Sequence, residues 1–247
     1  MKEVKKITLL LALGLLFVPS VLSAAYKTGL VPNGAVVSGK VVFKGKVPAP
    51  KKLLITKNQD VCGEGYVERQ EVKVSRDRSL TDVVVTLEGM KKGKPWAKPA
   101  NGYLLNQKRC TFIPYLQVIP KGAKLTVVNS DPHLHNIHTY EQIGRARRTV
   151  FNVAQPTQGH KVQKTIKPRR GKAIRIECDA HNWMLGWMYV VDNPYYAIVK
   201  KDGSFNIKDV PPGNYTLKVW HPFLGTKKQK VKVSANGKVK ANFEFSQ

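Results

Sequence analysis

A short loop with the pattern Cys-x-x-His-x-x-Met constrains this chain more than any other feature of its sequence. The loop, Cys178 to Met184, lies between two apolar runs, Ala173 to Glu177 and Gly186 to Val191, whose Ile, Val, Tyr and Trp content predicts β-strands. A thiolate, an imidazole and a thioether on one turn suit a copper ion, because soft sulfur ligands and imidazole favour copper over hard cations. A copper site with one Cys and a weak axial Met needs a second imidazole.

A segment about fifty residues upstream supplies candidates for that imidazole. It reads Val-Val-Asn-Ser-Asp-Pro-His-Leu-His-Asn-Ile-His from Val127 to His138, so three histidines follow a predicted strand that ends at Asn129. Val128 to His138 resembles the first ligand loop of the small cupredoxins, in the amicyanin and pseudoazurin pattern, where a strand ending in Val-Asn precedes a turn and His-Asn. The spacing Cys-x-x-His-x-x-Met is similar to that of amicyanin. The resemblance covers roughly Thr111 to Asp192.

The resemblance implies a single type 1 (blue) copper ion with four protein ligands. Matched residue by residue, these ligands are His135, Cys178, His181 and Met184. It also implies that His181 is the ligand nearest to solvent and the port through which electrons pass.

Three neighbours of these ligands are candidate tuning groups. Asn136 follows the first ligand His, and Asp179 stands where a cupredoxin usually has Ser or Thr after the ligand Cys. Trp183 lies inside the loop. With Trp187 it is interpreted as an apolar collar at the edge of His181, with ordinary core packing as the alternative, above all for Trp187.

The other histidines receive different interpretations. Alternate residues of an extended segment point the same way, so His133 and His135 can both face the site. His133 and His138 are therefore candidates for additional metal binding, although the register of the Val-Asn turn favours His135 as the ligand. His160 is interpreted as a surface side chain and His221 as a hydrogen-bonded structural group.

The mature chain lacks sustained helical periodicity, which predicts an all-β fold. We expect a Greek-key cupredoxin β-sandwich over residues 70–193, preceded by a β segment at residues 25–69. Residues 194–247 resemble the small carboxypeptidase-regulatory-like and prealbumin-like β-sandwich modules, through an Asp-Gly turn at Asp202 and a Pro-Pro-Gly turn at Pro211.

The N-terminal segment is expected to complete the sheet of the C-terminal module, so that the cupredoxin domain is an insertion. This hypothesis places Val41 and Val219 in one sheet. Ala35 to Val47 alternates like a hairpin, Asp82 to Glu88 looks like an early cupredoxin strand, and Glu71 to Val74 is another predicted strand. Further predicted strands are Leu53 to Thr56, Tyr115 to Ile119, Leu125 to Asn129, Val150 to Val153 and Val162 to Ile166.

Residues 1–24 have the pattern of a cleaved secretory signal peptide. Lys2, Lys5 and Lys6 precede the apolar run Ile7 to Val18, which is too short to span a bilayer, and small residues follow it. An uncleaved anchor is the alternative, and the absence of Cys at the cleavage site disfavours a lipoprotein. Export predicts a periplasmic or extracellular protein with no transmembrane segment in the mature chain.

The cysteine count fits an oxidising compartment. With Cys178 assigned to the metal, Cys62 and Cys110 remain as an even pair. We predict a disulfide between them, with two free buried thiols as the alternative.

The formal net charge is +26, from 42 Lys and Arg against 16 Asp and Glu. Loss of the signal peptide removes three lysines and one glutamate and leaves +24. Such a charge favours an anionic partner, and a redox protein such as a cytochrome or a copper enzyme fits the copper hypothesis. An anionic lipid, a cell-wall polymer and a merely solvated basic surface remain alternatives. Export and the lack of a basic helical stripe argue against nucleic acid.

Together these features predict an exported copper protein that carries single electrons and is not an enzyme. A copper carrier or an envelope-binding protein is the alternative. A copper enzyme would need a second, open metal site, and the sequence does not show a complete ligand set for one. A dinuclear purple-copper centre is disfavoured, because its loop needs two cysteines and this loop has only Cys178.

Overall fold

The computed structural model describes residues 26–97 and 99–247. Over these residues the chain consists of β-strands with a single four-residue helix, so the predicted all-β fold is confirmed. The predicted signal peptide lies outside the described residues. Within the described part of the chain, no helix combines the length and apolarity that a membrane span needs.

The structure contains 21 strands and one helix in the described residues. In chain order they are β1 (Lys27–Thr28), β2 (Ala35–Lys44), β3 (Lys51–Leu54), α1 (Gln59–Cys62), β4 (Tyr66–Arg69), β5 (Val84–Glu88), β6 (Lys92–Gly93), β7 (Tyr103–Lys108), β8 (Thr111–Ile113), β9 (Leu116–Pro120), β10 (Lys124–Asn129), β11 (His135–Ile143), β12 (Ala146–Gln155), β13 (Lys161–Thr165), β14 (Ala173–Glu177), β15 (Leu185–Val191), β16 (Tyr196–Ile198), β17 (Ser204–Val210), β18 (Gly213–His221), β19 (Gly225–Val233), β20 (Lys238–Lys240) and β21 (Phe243–Ser246).

The first sandwich carries the predicted metal ligands. Its five-stranded sheet has the order β12-β11-β14-β15-β9, and its four-stranded sheet has the order β13-β10-β7-β8. Side chains from both sheets form one apolar core, which includes Leu105, Leu125, Ile137, Ile176 and Met188. This core lies directly beneath the loop between β14 and β15.

The second sandwich is assembled from three separated parts of the chain. One sheet has the order β16-β5-β18-β19, and the other has the order β17-β2-β20, with β21 also paired to β2. Val41 in β2 and Val219 in β18 line the same core. They lie in opposite sheets, so the expectation that they share one sheet is wrong, although β2 does pair with the C-terminal strands β17, β20 and β21.

Strand β5 also belongs to this second sandwich, which corrects the expectation that Asp82 to Glu88 forms an early cupredoxin strand. It pairs with β16 and with β18. The physical reason is its burial: every residue of β5 except Glu88 is buried. An apolar strand of this kind must be covered on both faces.

Two other local predictions are also corrected. Ala35 to Val47 is not a hairpin, because β2 runs through it as one continuous strand. A Cβ on Gly39 would collide with the carbonyl oxygen of Ala241, so this glycine permits a close backbone approach and does not form a turn. Glu71 to Val74 is not a strand, and only an isolated bridge joins Val74 to Leu80.

Strand β15 lies between the two sandwiches. All seven of its residues are buried, so both of its faces are covered. On the outer face of the five-stranded sheet, two rings of β15 pack against Trp220 of β18. The ring centroid of Trp187 lies 5.7 Å from that of Trp220, and the ring centroid of Tyr189 lies 4.9 Å from that of Trp220. Val84 of β5 packs in the same layer. Trp187 is therefore a packing residue between the sandwiches and takes no part in a collar around His181.

A small hairpin made of β3 and β4 covers one end of the first sandwich, and the connection between its strands carries α1. Leu53, Val61 and Val67 pack against the core of that sandwich. The predicted disulfide is confirmed: Cys62 at the end of α1 is bonded to Cys110 in the turn between β7 and β8. The segment at residues 25–69 thus contributes β2 to a sheet of the second sandwich and a separate hairpin that packs on the first.

We expect Gly39→Ala to destabilise the protein, because the added methyl group meets the backbone of Ala241 and the strands must separate locally. The expected loss in the free energy of unfolding is about 1–3 kcal/mol, the usual cost of overpacking. Urea denaturation measures it. Ser38→Ala in the same strand serves as the control and should change stability by less than about 0.5 kcal/mol. Equal stability of the two variants would contradict the close packing of β2 against Ala241.

Candidate metal centre

Three buried side chains come from the loop that joins β14 to β15. Cys178, His181 and Met184 are 3%, 0% and 2% exposed. The backbone N–H of Met184 donates to the carbonyl oxygen of His181 (3.0 Å), which closes the turn. Because β14 and β15 pair antiparallel up to Glu177 and Leu185, the loop is held at both ends by the sheet.

His135 comes to this loop through the neighbouring strand. It is the first residue of β11, which pairs antiparallel with β14 so that His138 lies opposite Glu177. Its Nδ1 atom lies 3.8 Å from the Cys178 Sγ atom, and Nδ1 of His181 lies 3.6 Å from the same sulfur. These three donor atoms form one compact and fully buried group.

The outer nitrogen of each imidazole is held by a hydrogen bond. Nε2–H of His135 donates to Oδ2 of Asp131 (2.8 Å), and Nε2–H of His181 donates to Oδ1 of Asn58 (2.9 Å). A proton on Nε2 leaves the lone pair of Nδ1 directed at the Cys178 sulfur. Both rings are therefore oriented as metal ligands, with Nδ1 as the donor atom.

Asp131 is a buried carboxylate with several donors around it. Burial opposes its ionisation, but the N–H groups of Cys110 (2.9 Å) and Arg109 (2.7 Å) and the ring of His135 outweigh this, so the pKa of Asp131 lies below its usual range. The carboxylate thus stays charged and fixes the ring of His135.

Both ligand imidazoles are neutral at ordinary pH. Burial is the largest cause for His181, followed by the nearby His135, and lowers the pKa of His181 to about 4. Burial also lowers the pKa of His135, although the hydrogen bond to Asp131 opposes this. A neutral imidazole is the form that binds a metal.

The thiol of Cys178 accepts a hydrogen bond from the backbone N–H of Asn136 (3.5 Å). Burial raises the pKa of Cys178, against the effect of nearby backbone N–H groups such as that of Asn136. A bound cation would reverse this balance, because a coordinating thiol is deprotonated.

The side chain of Asn136 ties the two ligand segments together. Its Oδ1 accepts from the backbone N–H of Asp179 (2.5 Å), and its Nδ2 donates to Oδ2 of Asp179 (2.8 Å). Burial opposes ionisation of Asp179, but hydrogen bonds from His138 and Asn152 lower its pKa below the usual value. The carboxylate therefore joins the turn after Cys178 to Asn136 at the position where the resemblance expects Ser or Thr.

His133 and His138 lie outside the donor group. Nε2 of His133 is 2.7 Å from Oδ2 of Asp60, and Nδ1 of His138 is 3.1 Å from the Asp179 carboxylate. Neither takes part in the groups of three or more metal-binding side chains among the described residues. His221 forms the predicted structural contact, since its Nδ1 accepts from the N–H groups of Phe223 and Leu224.

The expectation that His181 is the ligand nearest to solvent is wrong. Its ring has no exposed surface. Asn58 covers the Nε2 edge, and the centroid of the Trp183 ring lies 5.1 Å from that of His181. The Cys62 and Cys110 sulfurs also lie within 4.8 Å of a ring nitrogen of His181.

Sequence reasoning did not find Asn58 or Asp131, which orient the two imidazoles. A weak indication of Asp131 was present in the sequence, since this acidic residue lies four positions before His135 in the same loop. There was none for Asn58, because 123 positions separate it from His181. Only the packing of the β3–β4 hairpin brings it to the site.

The spacing of the donor atoms fits a transition metal. With metal–nitrogen bonds of about 2.0–2.1 Å and a metal–sulfur bond of about 2.3 Å, tetrahedral to trigonal ligand angles separate nitrogen from sulfur by about 3.6–3.8 Å. The observed separations of 3.6 and 3.8 Å agree with this. Two imidazoles and one thiolate match the three strong donors of a blue-copper site, and Met184 is buried in the same apolar core as Cys178.

Comparison with known proteins gives limited matches. Residues 179–244 match the family model of the β-sandwich domain of ER membrane protein complex subunit 7. This agrees with a β-sandwich in the C-terminal part of the chain and does not point to the carboxypeptidase-regulatory-like modules specifically. No curated protein matches the chain by sequence.

Several solved structures are similar to part of the chain. A novel purple cupredoxin from Nitrosopumilus maritimus is 18% identical, with a TM-score of 0.31 over 36% of this chain and 99% of that one. Amicyanin from Paracoccus versutus is 17% identical, with a TM-score of 0.31 over 43% of this chain and 97% of that one. A copper-containing nitrite reductase from Thermus scotoductus is 18% identical, with a TM-score of 0.30 over 40% of this chain and 25% of that one.

We expect the metal-free protein to lose stability as the pH falls from about 6.5 towards 4. The pKa values of His181 and His221 are lowered from 6.5 to about 4 in the folded state, so the unfolded chain binds more protons in this range. Each histidine contributes up to about 1.4 kcal/mol per pH unit to the slope of the free energy of unfolding against pH. Urea denaturation across this range measures the slope.

His181→Gln and His221→Gln should each reduce that slope, by up to about 1.4 kcal/mol per pH unit, whatever their effect on stability at neutral pH. A slope that is unchanged in both variants would show that these two buried rings are not the source of the acid sensitivity.

Proposed function

We propose that the chain is an exported mononuclear copper protein that carries single electrons and is not an enzyme. His135, Cys178, His181 and Met184 would hold the ion. The observation that carries this proposal is the buried group of two Nδ1 atoms around one thiol sulfur, at separations of 3.6 and 3.8 Å.

Bound copper would supply a one-electron couple, and the protein would keep its ligands in one arrangement in both oxidation states. The residues around the ligands support this role. Asp131 and Asn58 fix the two imidazoles, and Asn136 ties their two segments together. Because these contacts belong to a buried site between paired strands, little rearrangement would oppose electron transfer.

Asp179 gives the proposed site an electrostatic character of its own. Its lowered pKa keeps the carboxylate ionised at neutral pH, next to the thiol of Cys178. Compared with a neutral hydroxyl, a negative charge at this place stabilises the more positive state of the site. It therefore favours the oxidised form and a lower reduction potential.

The surface around Asp179 is the proposed exit for electrons, because the edge of His181 is closed. The Asp179 side chain is 53% exposed and directly follows Cys178. Arg147 is 56% exposed, and Arg148 is 40% exposed on the same strand, β12. These arginines are paired with Glu177 and Glu141, so the support for the partner comes from the net charge of +24 that remains without the predicted signal peptide. That charge fits an anionic redox protein, such as a cytochrome or a copper enzyme.

The disulfide supports export to an oxidising compartment, periplasmic or extracellular, because such bonds persist there and are rare in the cytosol.

A second candidate function is binding to an envelope or membrane assembly through the C-terminal module. The match to a subunit of a membrane protein complex favours it. So does the edge strand β19, whose exposed lysines are Lys227, Lys228, Lys230 and Lys232. A copper carrier is the related alternative, and rapid loss of copper to a mild chelator would favour it over the electron carrier.

We expect the copper-loaded, oxidised protein to show an intense visible absorption band from the bond between copper and the Cys178 thiolate. Cys178→Ser should abolish the band while the Cys62–Cys110 disulfide remains intact. Absorption spectroscopy of both proteins at equal copper content is the measurement. Absence of the band in the unmodified protein would remove the electron-carrier proposal and leave a binding role for the fold.

We expect Met184→Leu to raise the reduction potential, because loss of a weak axial donor disfavours Cu(II) more than Cu(I). Met188→Leu is the matched control: Met188 is equally buried, at 0% exposure, in the same apolar core. Redox titration monitored by the visible band measures both variants. A similar change in the two variants would show that Met184 acts only through packing.

A further inference from the structure

Asn58 occupies an unusual position over the His181 ring. It has a left-handed backbone conformation (φ 53°, ψ 44°) just before α1, and its carbonyl oxygen accepts from the N–H groups of Val61 and Cys62. Its side chain accepts the Nε2–H of His181, which has no exposed surface. Asn58 therefore closes the side of the donor group from which solvent would reach that ring.

The Cys62–Cys110 disulfide anchors this closure. Cys62 is the last residue of α1, and both sulfurs lie within 4.8 Å of a ring nitrogen of His181. The backbone N–H of Cys110 donates to Asp131, which in turn accepts from His135. The outer nitrogens of both imidazoles are thus connected through one disulfide.

Other anchors of the segment at residues 58–62 are weak. α1 has four residues, none of them buried, and one helical turn is unstable by itself in water. The contact between Asp60 and His133 is largely exposed, with 65% of the Asp60 side chain accessible. Exposed ion pairs of this kind contribute little to stability. Val61 is only partly buried against the core of the first sandwich, and the disulfide is the one covalent constraint among the described contacts of this segment.

We propose that Asn58 is a positioning residue for His181, and that the disulfide holds residues 58–62 as a cap which opens when the disulfide is reduced. The effect of the cap on copper exchange rests on the proposed function. The closed cap keeps the ring of His181 shielded and correctly oriented. The open cap exposes Nε2 and gives a chelator or a copper donor access to the site.

The reductant is a dithiol. One of its thiolates attacks Sγ of Cys62, which is half-buried, while Cys110 is only 1% exposed. The Cys62–Cys110 bond breaks, a mixed disulfide forms, and Cys110 leaves as a thiolate that takes up a proton. The second thiol of the reductant then displaces Cys62, so two electrons and two protons pass to the protein and the reductant becomes a disulfide.

The first test uses the metal-free full chain and needs no copper. Diethyl pyrocarbonate modifies accessible imidazoles, and mass spectrometry locates the modified residues. The protein is reduced with dithiothreitol, and the dithiothreitol is then removed anaerobically. We expect His181 to react at least about tenfold faster in this reduced protein, because the segment over its ring opens more easily. A tenfold change corresponds to the loss of a local constraint of about 1.4 kcal/mol. His221, which is also 0% exposed, should stay protected and report that the fold is intact. Equal rates for His181 in the oxidised and reduced proteins would overturn the cap.

Asn58→Gly tests the cap without reduction. Glycine accepts the left-handed conformation at no steric cost, so the variant removes only the side-chain amide. Asn236→Gly is the matched control, because Asn236 has the same backbone conformation (φ 55°) in the turn between β19 and β20. We expect modification of His181 to rise about fivefold in Asn58→Gly, the effect of losing one hydrogen bond, and to stay unchanged in Asn236→Gly.

Removal of copper by a chelator, followed by the visible band, should be faster by a similar factor in Asn58→Gly and in the reduced protein. The two proposals fail separately. If copper gives no thiolate band but reduction still exposes His181, the proposed function fails and the cap stands. If copper binds as proposed but His181 reacts equally in both redox states, the cap fails and the proposed function stands.

Discussion

The antiparallel pairing of β11, β14 and β15 is the constraint on which the rest of the site depends. The register between β11 and β14 sets His135 beside Cys178, and the register between β14 and β15 closes the loop that carries His181 and Met184. Strand β15 is buried on both faces, against the core of the first sandwich on one side and the aromatic layer on the other. The second sandwich therefore supports the sheet that positions the donor group.

Hydrogen bonds around the donor group fix the orientation of the side chains that the strands bring together. Asp131 and Asn58 each accept from an outer imidazole nitrogen, and Asn136 spans the two ligand segments. Asp131 and Asn136 lie close together in the chain, whereas Asn58 comes from a distant segment. Such outer contacts orient metal ligands, since they fix the tautomer and the rotation of each ring.

Closure of the His181 edge changes how the proposed site communicates with its surroundings. The ring of His181 is covered by Asn58, which lies in the β3–β4 hairpin beside the disulfide. The exposed group next to the thiol is Asp179, and the exposed Arg147 pairs with Glu177 at the end of the preceding strand, β14. The donor group thus has one side covered by the segment that the disulfide anchors and another side next to the exposed carboxylate of Asp179.

The sequence by itself determined the all-β class, the donor residue types and the disulfide pair, because strand alternation, ligand spacing and cysteine parity are local properties. It could not place Val84–Glu88, since an apolar strand carries no mark of which sheet will cover it. Nor could it show that Asn58 caps His181, because that contact joins residues 123 positions apart. The tertiary structure decided these points, since sheet partners and buried polar contacts depend on how distant segments pack and not on the order of neighbouring residues.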